Sequence, residues 1–317
     1  MSNLSLAVAH WHSLKDGVQA GSGQPLPAEN GRINPAEVLA GKKLRNIDPQ
    51  TIDMLCCFAA LSQVASWEPH AAMVSATSMG AFDSVCKLLR ESRENALPHQ
   101  ISPGNIPNTV INSTAGLSAI HYGFDGPNIS LCANELSFYE ALTKAFALMQ
   151  RQQANDIFVS AVESWQGLYG RSLNPYRTED NRENLPQLSY AALFMFSRLP
   201  ESDAVDRVLA VTTGRVLQPA DLSDKLASFL FSSGHACDDI EQINQWGVDG
   251  QTEALAQLLP GATLTSLSAS AKVLMSGLGA WQLAQLLSTV RPGKLAVQLA
   301  MDSEGFYGIA IIKKAHS

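Results

Sequence analysis

Apolar residues at Phe138, Ala141, Leu142, Ala145, Phe146 and Met149 recur at i, i+3, i+4, i+7, i+8 and i+11. That spacing predicts a helix with one wide apolar face. Just before it, Ser137 followed three residues later by Glu140 forms a capping-box signature. A short apolar run, Ile129–Ala133, predicts a strand leading into the helix. A continuous apolar run of strand length, Ile157–Val162, follows it, as a sheet covered on both faces requires. Strand, elbow, helix, strand is a βαβ unit.

Upstream, Leu4–Ala9 predicts a first strand. A polar loop bearing Gly and Pro runs from Lys15 to Asn34, a length typical of functional or mobile loops. Asp48 to Ala65 predicts a helix with Ile52, Leu55, Cys56 and Ala59 on one face, and Ala71–Ala76 a buried strand. Ser78-Met79-Gly80 turns the chain into a helix carrying Val85, Leu88 and Leu89, and Pro103 and Pro107 mark an irregular segment before Ile111–Tyr122. Downstream, a polar insertion from Asn174 to Asn184 precedes strands at Tyr190–Phe196 and Val208–Thr212. Helices are predicted at Leu222–Leu230, Thr252–Leu259 and Trp281–Val290, with strands at Ile240–Asn244 and Ala262–Ser268. Leu295–Ala300 and Phe306–Ile312 alternate in polarity and join through Asp302–Gly305 as a hairpin. Helices layered around mixed sheets, an α/β/α sandwich built twice over, fit this order. No short-period repeat or low-complexity tract interrupts it.

The 317 residues are enough for one large or two coalesced domains. A hydrophobic content of 46% excludes a disordered chain. With 22 Lys+Arg against 29 Asp+Glu, the formal charge is −7 and no basic patch is evident, so nucleic acid is not an expected partner. The longest apolar stretch, around Met54–Leu61, is too short to span a bilayer. The N-terminal MSNLSLAVAHWHSL lacks the basic flank and apolar core of a signal peptide. Cys56, Cys57, Cys86, Cys132 and Cys237 are odd in number and scattered, and they read as reduced core residues of a cytoplasmic protein.

Chemistry enters through a resemblance. ISPGNIPNTVINSTAGLSAIHYGFDGPNIS, beginning at Ile101, resembles the segment of β-ketoacyl synthases, condensing enzymes of the thiolase superfamily, that ends in their GPN turn. Gly126-Pro127-Asn128 is the most specific match. QANDIFVSAVES resembles the next strand, with Ser160 and Ala161 standing where the family has a glycine pair. Asp239–Leu255 resembles the segment around the first catalytic histidine. Ser268–Trp281 resembles the lysine and second-histidine segment, with Gly279-Ala280 on its GA pair. EGFYGIAII resembles the closing glycine-rich turn and last strand. The resemblance is ordered along nearly the whole chain, which is shorter than a full condensing enzyme. It implies a five-layered α/β/α/β/α thiolase-like fold of two similar halves, expected at 1–203 and 204–317.

The family's chemistry uses an elbow cysteine activated at a helix N-terminus to accept an acyl group from a carrier protein. Two histidines assist decarboxylation and stabilise the enolate. Counted from the matched motifs, the cysteine position falls on Glu135, the first histidine on Trp246 and the second on Ser276, while Lys272 is a candidate for the family lysine. None of the three can perform the family's chemistry at its position. The resemblance therefore narrows to chain-length factors of type II polyketide and polyene systems, non-catalytic subunits that pair with an active β-ketoacyl synthase working on an acyl carrier protein. It implies a partner interface at Ile129, Ser130, Leu131, Cys132 and Ala133, an apolar edge that needs covering. It also implies an acyl tunnel shaped by Val110, Ile111, Ser113, Thr114, Phe138 and Tyr139.

Plainer readings stand beside these. A carboxylate at Glu135 gains about 0.3–1 kcal/mol from a helix N-terminus with no catalytic duty. Alternatively, Glu135 assists decarboxylation or pairs with the partner. Cys132 reads as a packed core thiol rather than a displaced nucleophile. Trp246 either plugs the vacated pocket or fills core. Ser276 lacks a hydrolase elbow, since Leu274 replaces the first glycine. His235 reads as solvated. His10 and His12 lack further ligands at usable spacing, so neither metal nor cofactor is expected. Gly21-Ser22-Gly23 and Gly41-Lys42-Lys43 read as loops rather than phosphate cradles. The enzyme alternative is a divergent acyltransferase or malonyl decarboxylase that uses Glu135 or Cys132.

Overall fold

A computed structural model describes residues 5–41, 47–95, 97–164, 189–198, 204–267 and 274–316. Among them, the first half of the chain supplies β1 (Leu6–Lys15), β2 (Val18–Gly21), the short hairpin β3 (Ala28–Glu29) and β4 (Arg32–Ile33), α1 (Pro35–Val38) and α2 (Pro49–Leu61). It continues with β5 (Ala72–Ala76), α3 (Phe82–Glu94), α4 (Ser113–Tyr122), β6 (Asn128–Leu131), α5 (Ser137–Gln150), β7 (Asp156–Ser164) and β8 (Ser189–Ser197). The second half supplies β9 (Arg207–Arg215), α6 (Leu222–Ser232), β10 (Ile240–Trp246), α7 (Thr252–Leu258), β11 (Thr263–Ser266), α8 (Leu278–Thr289), β12 (Leu295–Met301) and β13 (Phe306–Lys313).

The strands run β11-β10-β12-β13-β9-β1-β8-β7-β5-β6, with β2 paired to β1. Cut at the β9/β1 seam, where Leu6 faces Val208 and Ala7 faces Arg207, each side has the same order: third strand, second, fourth, fifth, first. Both sides pair the second strand in parallel with the third and fourth, and the fifth antiparallel to the fourth and first. The expected boundary at 203/204 adjoins residues outside the described set.

Three apolar cores give five layers. In the first half, β5 sends Ala72, Val74 and Ala76 to a central core and Met73 to an outer one, the period-2 consequence of a strand buried on both faces. The central core holds α5 and α8 between strands of both halves. An outer core sets α2 and α4 against the first half, and another sets α6 and α7 against the second. Phe138, Tyr139, Leu142 and Met149 of α5 are fully or almost fully buried, each stabilising by about 1.5–3 kcal/mol. The fit is close at Gly308 of β13, where an added Cβ would meet the Tyr139 ring at 2.4 Å. Tyr139 Oη also donates to Gln282 Oε1 of α8 at 2.5 Å, and Gln282 Nε2 donates to the carbonyls of Asn244 and Leu299. One tyrosine thus ties the middle layer to the second half.

Several expectations shift. The first strand runs on to Lys15, past its expected end at Ala9, and a bulge between Val8 and His10 changes its facing. The segment from Lys15 to Asn34 is partly ordered as β2 and the β3–β4 hairpin, and Gly21 closes β2 rather than lying in a loop. Asp48 caps α2, its Oδ1 accepting from Gln50 N at 3.1 Å. No capping box forms at Ser137, which is already inside α5 behind a single 3-10 turn, Asn134–Leu136. The polar insertion from Asn174 to Asn184, and Lys272, lie outside the described residues.

Candidate functional site

The elbow between β6 and α5 is built by that 3-10 turn. Asn134 takes a left-handed φ of 47°, a conformation Asn tolerates better than most residues. Ser137 Oγ then locks the turn, accepting from Ala133 N at 2.8 Å and donating to Asn134 O at 2.7 Å. The turn brings Glu135 to the wall of a cavity of about 890 Å³. The cavity lies beyond the carboxyl ends of the parallel strands β6 and β10, the usual ligand position in α/β sheets.

Glu135 and Trp246, far apart in sequence, meet at this cavity. Glu135 is 8% exposed, and among the described residues its carboxylate has no hydrogen-bond partner. Trp246 ends β10 at 9% exposure, and it both walls the cavity and packs in the central core. Met275 lines the cavity, but its neighbour Ser276 does not.

Ser276 is instead fully buried in a polar cluster with Glu163, the last acid of β7. Its Oγ donates to Glu163 Oε1 at 2.5 Å, Ser78 N donates to the same oxygen at 2.5 Å, and Ser276 N donates to Ser78 Oγ at 3.1 Å. Burial pushes the Glu163 carboxyl up to about 7, against the opposing pull of the hydrogen bonds from Ser276 and Ser78. Cys132 Sγ donates to the Ser78 carbonyl at 2.8 Å. Cys132 is exposed and lines the cavity, which corrects its reading as a packed core thiol: β6 ends one residue earlier, at Leu131, and the elbow carries Cys132 outward. Of the remaining thiols, Cys56 and Cys57 are buried, while Cys86 and Cys237 are half-buried.

The remaining residues separate by burial. Ile129, Ser130 and Leu131 lie half-buried in β6, which among the described residues is an outermost strand with β5 as its only neighbour, and Ala133 is exposed beyond it. Val110 and Ile111 are 49% and 44% exposed just before α4. Ser113 and Thr114 are buried, Thr114 sharing a 2.7 Å hydrogen bond with Thr51. Phe138 and Tyr139 are fully buried in the central core, and none of these six lines the cavity. His12 is buried with both ring nitrogens unpartnered among the described residues, and desolvation lowers its pKa to about 4, so it is neutral. His235 is half-buried.

Sequence reasoning missed Glu163, and with it the cavity acids Glu140, Asp302 and Glu304 and the guanidinium of Arg215. One signal for Glu163 was available: an acid closing an otherwise apolar strand, Ile157–Val162, that is covered on both sides. The cavity acids sit in ordinary polar stretches and carry no such mark.

No protein-family model matches the sequence, and no curated protein sequence matches it. Solved structures share its fold. The ishigamide ketosynthase/chain length factor superposes with a TM-score of 0.76 at 19% identity, covering 98% of this chain and 100% of that one. A β-ketoacyl synthase from Burkholderia phymatum gives 0.73 at 11% identity, covering 98% and 100%. A ketosynthase (ApeO) in complex with its chain length factor (ApeC) from Xenorhabdus doucetiae gives 0.68 at 12%, covering 98% of each chain. The thiolase-like ketosynthase fold is therefore that of this chain.

Proposed function

We propose that this chain is a chain-length factor: a ketosynthase-like subunit without condensing activity that pairs with an active β-ketoacyl synthase. The pair would extend a polyketide or polyene chain held on an acyl carrier protein. The observation that carries the reading is the composition of the elbow cavity. By the resemblance, the family's thiol and first imidazole positions fall on Glu135 and Trp246, which line this cavity, and its second histidine position falls on Ser276, which is tied to Glu163 outside it. A carboxylate is not a thiolate nucleophile, and an indole donates a hydrogen bond but shuttles no proton.

Two features support pairing. β6 is an outermost strand with Ile129 and Leu131 only half-buried, a template for strand addition. Ile106, Val110, Ile111 and Ile120 expose apolar side chains on α4 and the segment before it, and α4 is adjacent to β6. Val110 and Ile111, the exposed members of the expected tunnel set, would limit the depth open to a partner's acyl chain. Ser113, Thr114, Phe138 and Tyr139 would act behind them by packing. This assignment makes the mechanism steric and leaves chemistry to the partner.

Co-expression with a ketosynthase encoded beside it tests the reading. An equimolar complex is expected, together with no carbon dioxide release and no covalent acyl adduct when the chain alone meets malonyl-carrier protein. A stable monomer that ignores the ketosynthase would overturn it. The enzyme alternative keeps one observation in its favour, the exposed Cys132 thiol at the cavity wall. Turnover by the isolated chain that Cys132→Ala abolishes would establish that alternative instead.

A further inference from the structure

The elbow cavity, vacated of family chemistry, has a charge and shape of its own. Among the described residues, four carboxylates contribute to its lining, Glu135, Glu140, Asp302 and Glu304, against one guanidinium, Arg215. Arg215 is already engaged: its Nε donates to the Glu304 carbonyl at 3.1 Å, and its guanidinium lies 5.0 Å from the Phe306 ring centroid. Asp302 is partly engaged, its Oδ1 accepting from the amides of Glu304 and Phe306 at 2.9 Å. Glu135 is not engaged. It is more than nine-tenths buried, faces the cavity and has no hydrogen-bond partner among the described residues. A carboxylate left unpaired at a cavity wall is stabilised by any cation or donor that reaches it there.

Aromatic walls stand around this acid: Trp246, Phe306 and Tyr307. Indole and phenyl faces attract cations, best where water is excluded, and the Arg215–Phe306 stack places such a pair on this wall already. The volume, about 890 Å³, is in the range of sites for drug-sized molecules. Among the described residues no group of three or more His, Cys, Asp or Glu side chains could hold a metal ion.

We propose that this cavity is a binding site for an organic cation, an ammonium or guanidinium group carried on a small apolar body. The charged head pairs with Glu135, and the body lies against Trp246 and Phe306. The same charges disfavour a malonyl carboxylate or a phosphate. The site adjoins the expected interface, since Leu131, Cys132 and Ala133 line the cavity, but its charged and aromatic groups lie outside that strand, and so it extends beyond the pairing role.

Titrating the purified full chain, or its complex, with hexylammonium, hexyltrimethylammonium and hexanoate tests it, read by calorimetry and by Trp fluorescence. The two cations are expected to bind, and hexanoate at least about tenfold more weakly. Glu135→Gln is expected to weaken cation binding about tenfold or more, in keeping with loss of a charge-assisted contact. Glu140→Gln, at a half-buried position, is expected to weaken it less. Folding of both variants is checked by circular dichroism, and if Glu135→Gln fails to fold, the hexanoate comparison and Glu140→Gln decide. Equal binding of hexanoate, no binding of either cation, or unchanged affinity in folded Glu135→Gln would each overturn the proposal. Loss of ketosynthase pairing would leave it standing, and loss of cation binding would leave the pairing reading standing.

Discussion

β6 and β11 hold the same place in their halves: each is the third of the five strands its half gives to the main path of the sheet, outermost there and, among the described residues, parallel to a single neighbour. Their side chains differ. β6 reads Asn-Ile-Ser-Leu with three positions half-buried, while β11 reads Thr-Leu-Thr-Ser with three positions exposed. Exposed apolar residues, Val110, Ile111 and Ile120, accompany β6. One topology repeated twice thus ends once in an edge suited to burial and once in an edge suited to water. Open strand edges invite pairing, and polar side chains blunt that tendency. Because the two edges share one topology, a partner's preference for one of them would come from the composition of that edge.

The largest effect is expected from blocking the β6 edge. Met73 N bonds the Pro127 carbonyl and Thr77 N bonds the Leu131 carbonyl, so by strand alternation the Ser130 peptide groups point away from β5. Ser130→Pro therefore spares the internal ladder and removes an outward donor. Co-purification with the ketosynthase is expected to be lost, whereas Ser266→Pro on β11 leaves it intact. Equal loss in both variants would erase the distinction between the edges.

A smaller effect concerns whether the two halves behave as one body. Tyr139→Phe removes the donor to Gln282 Oε1 in a fully buried contact and is expected to cost about 1–3 kcal/mol in a urea titration. A single cooperative transition that shifts as a whole is the expected form. Two separated transitions would instead show independent halves.

Glu163 also joins the halves, through Ser78 and Ser276. Its carboxyl is raised from 4.5 to about 7 in the folded chain by burial. Between those values the folded chain holds a proton that the unfolded chain has released. Its contribution is therefore greatest at the acid end of the window and declines as pH rises through about 7. Because both hydrogen bonds fall on Oε1, Glu163→Gln can keep them with its amide oxygen. The variant's melting temperature is expected to fall less than the parent's between about pH 5 and about pH 8. Parallel profiles would remove Glu163 as the source.

The smallest effect is a rate. Cys132 is exposed at the end of the β6 edge and Cys237 is half-buried beside β10. Cys56 is held back by burial that pushes its thiol up to about 12. Iodoacetamide, followed by peptide mass mapping, is expected to modify Cys132 first. The ketosynthase partner should slow that reaction several-fold and leave Cys237 unchanged. Protection of Cys237 alone would move the interface to the second half.

Much of the architecture was legible because burial on one or two faces imposes a period. The six-residue apolar run at Ile157–Val162 and the helical stripe from Phe138 to Met149 lie in β7 and α5. Legibility failed where a local signal met a tertiary demand. Alternation breaks at the β1 bulge, so Leu6 and Val8 face the central core while Leu14 faces the outer one. Ser137 and Glu140 carry a capping-box pattern, yet the elbow inserts a turn ahead of them and uses Ser137 to close it.

The order of strands and helices, and the residue types at Glu135, Trp246 and Ser276, were determined by the chain alone, because periodicity and residue type are local properties. Folding decided that Glu135 and Trp246 share one cavity with Glu140, Asp302 and Arg215, that Ser276 turns away to Glu163, and that Cys132 faces solvent. Those outcomes depend on the distance between residues remote in sequence, and only packing sets that distance.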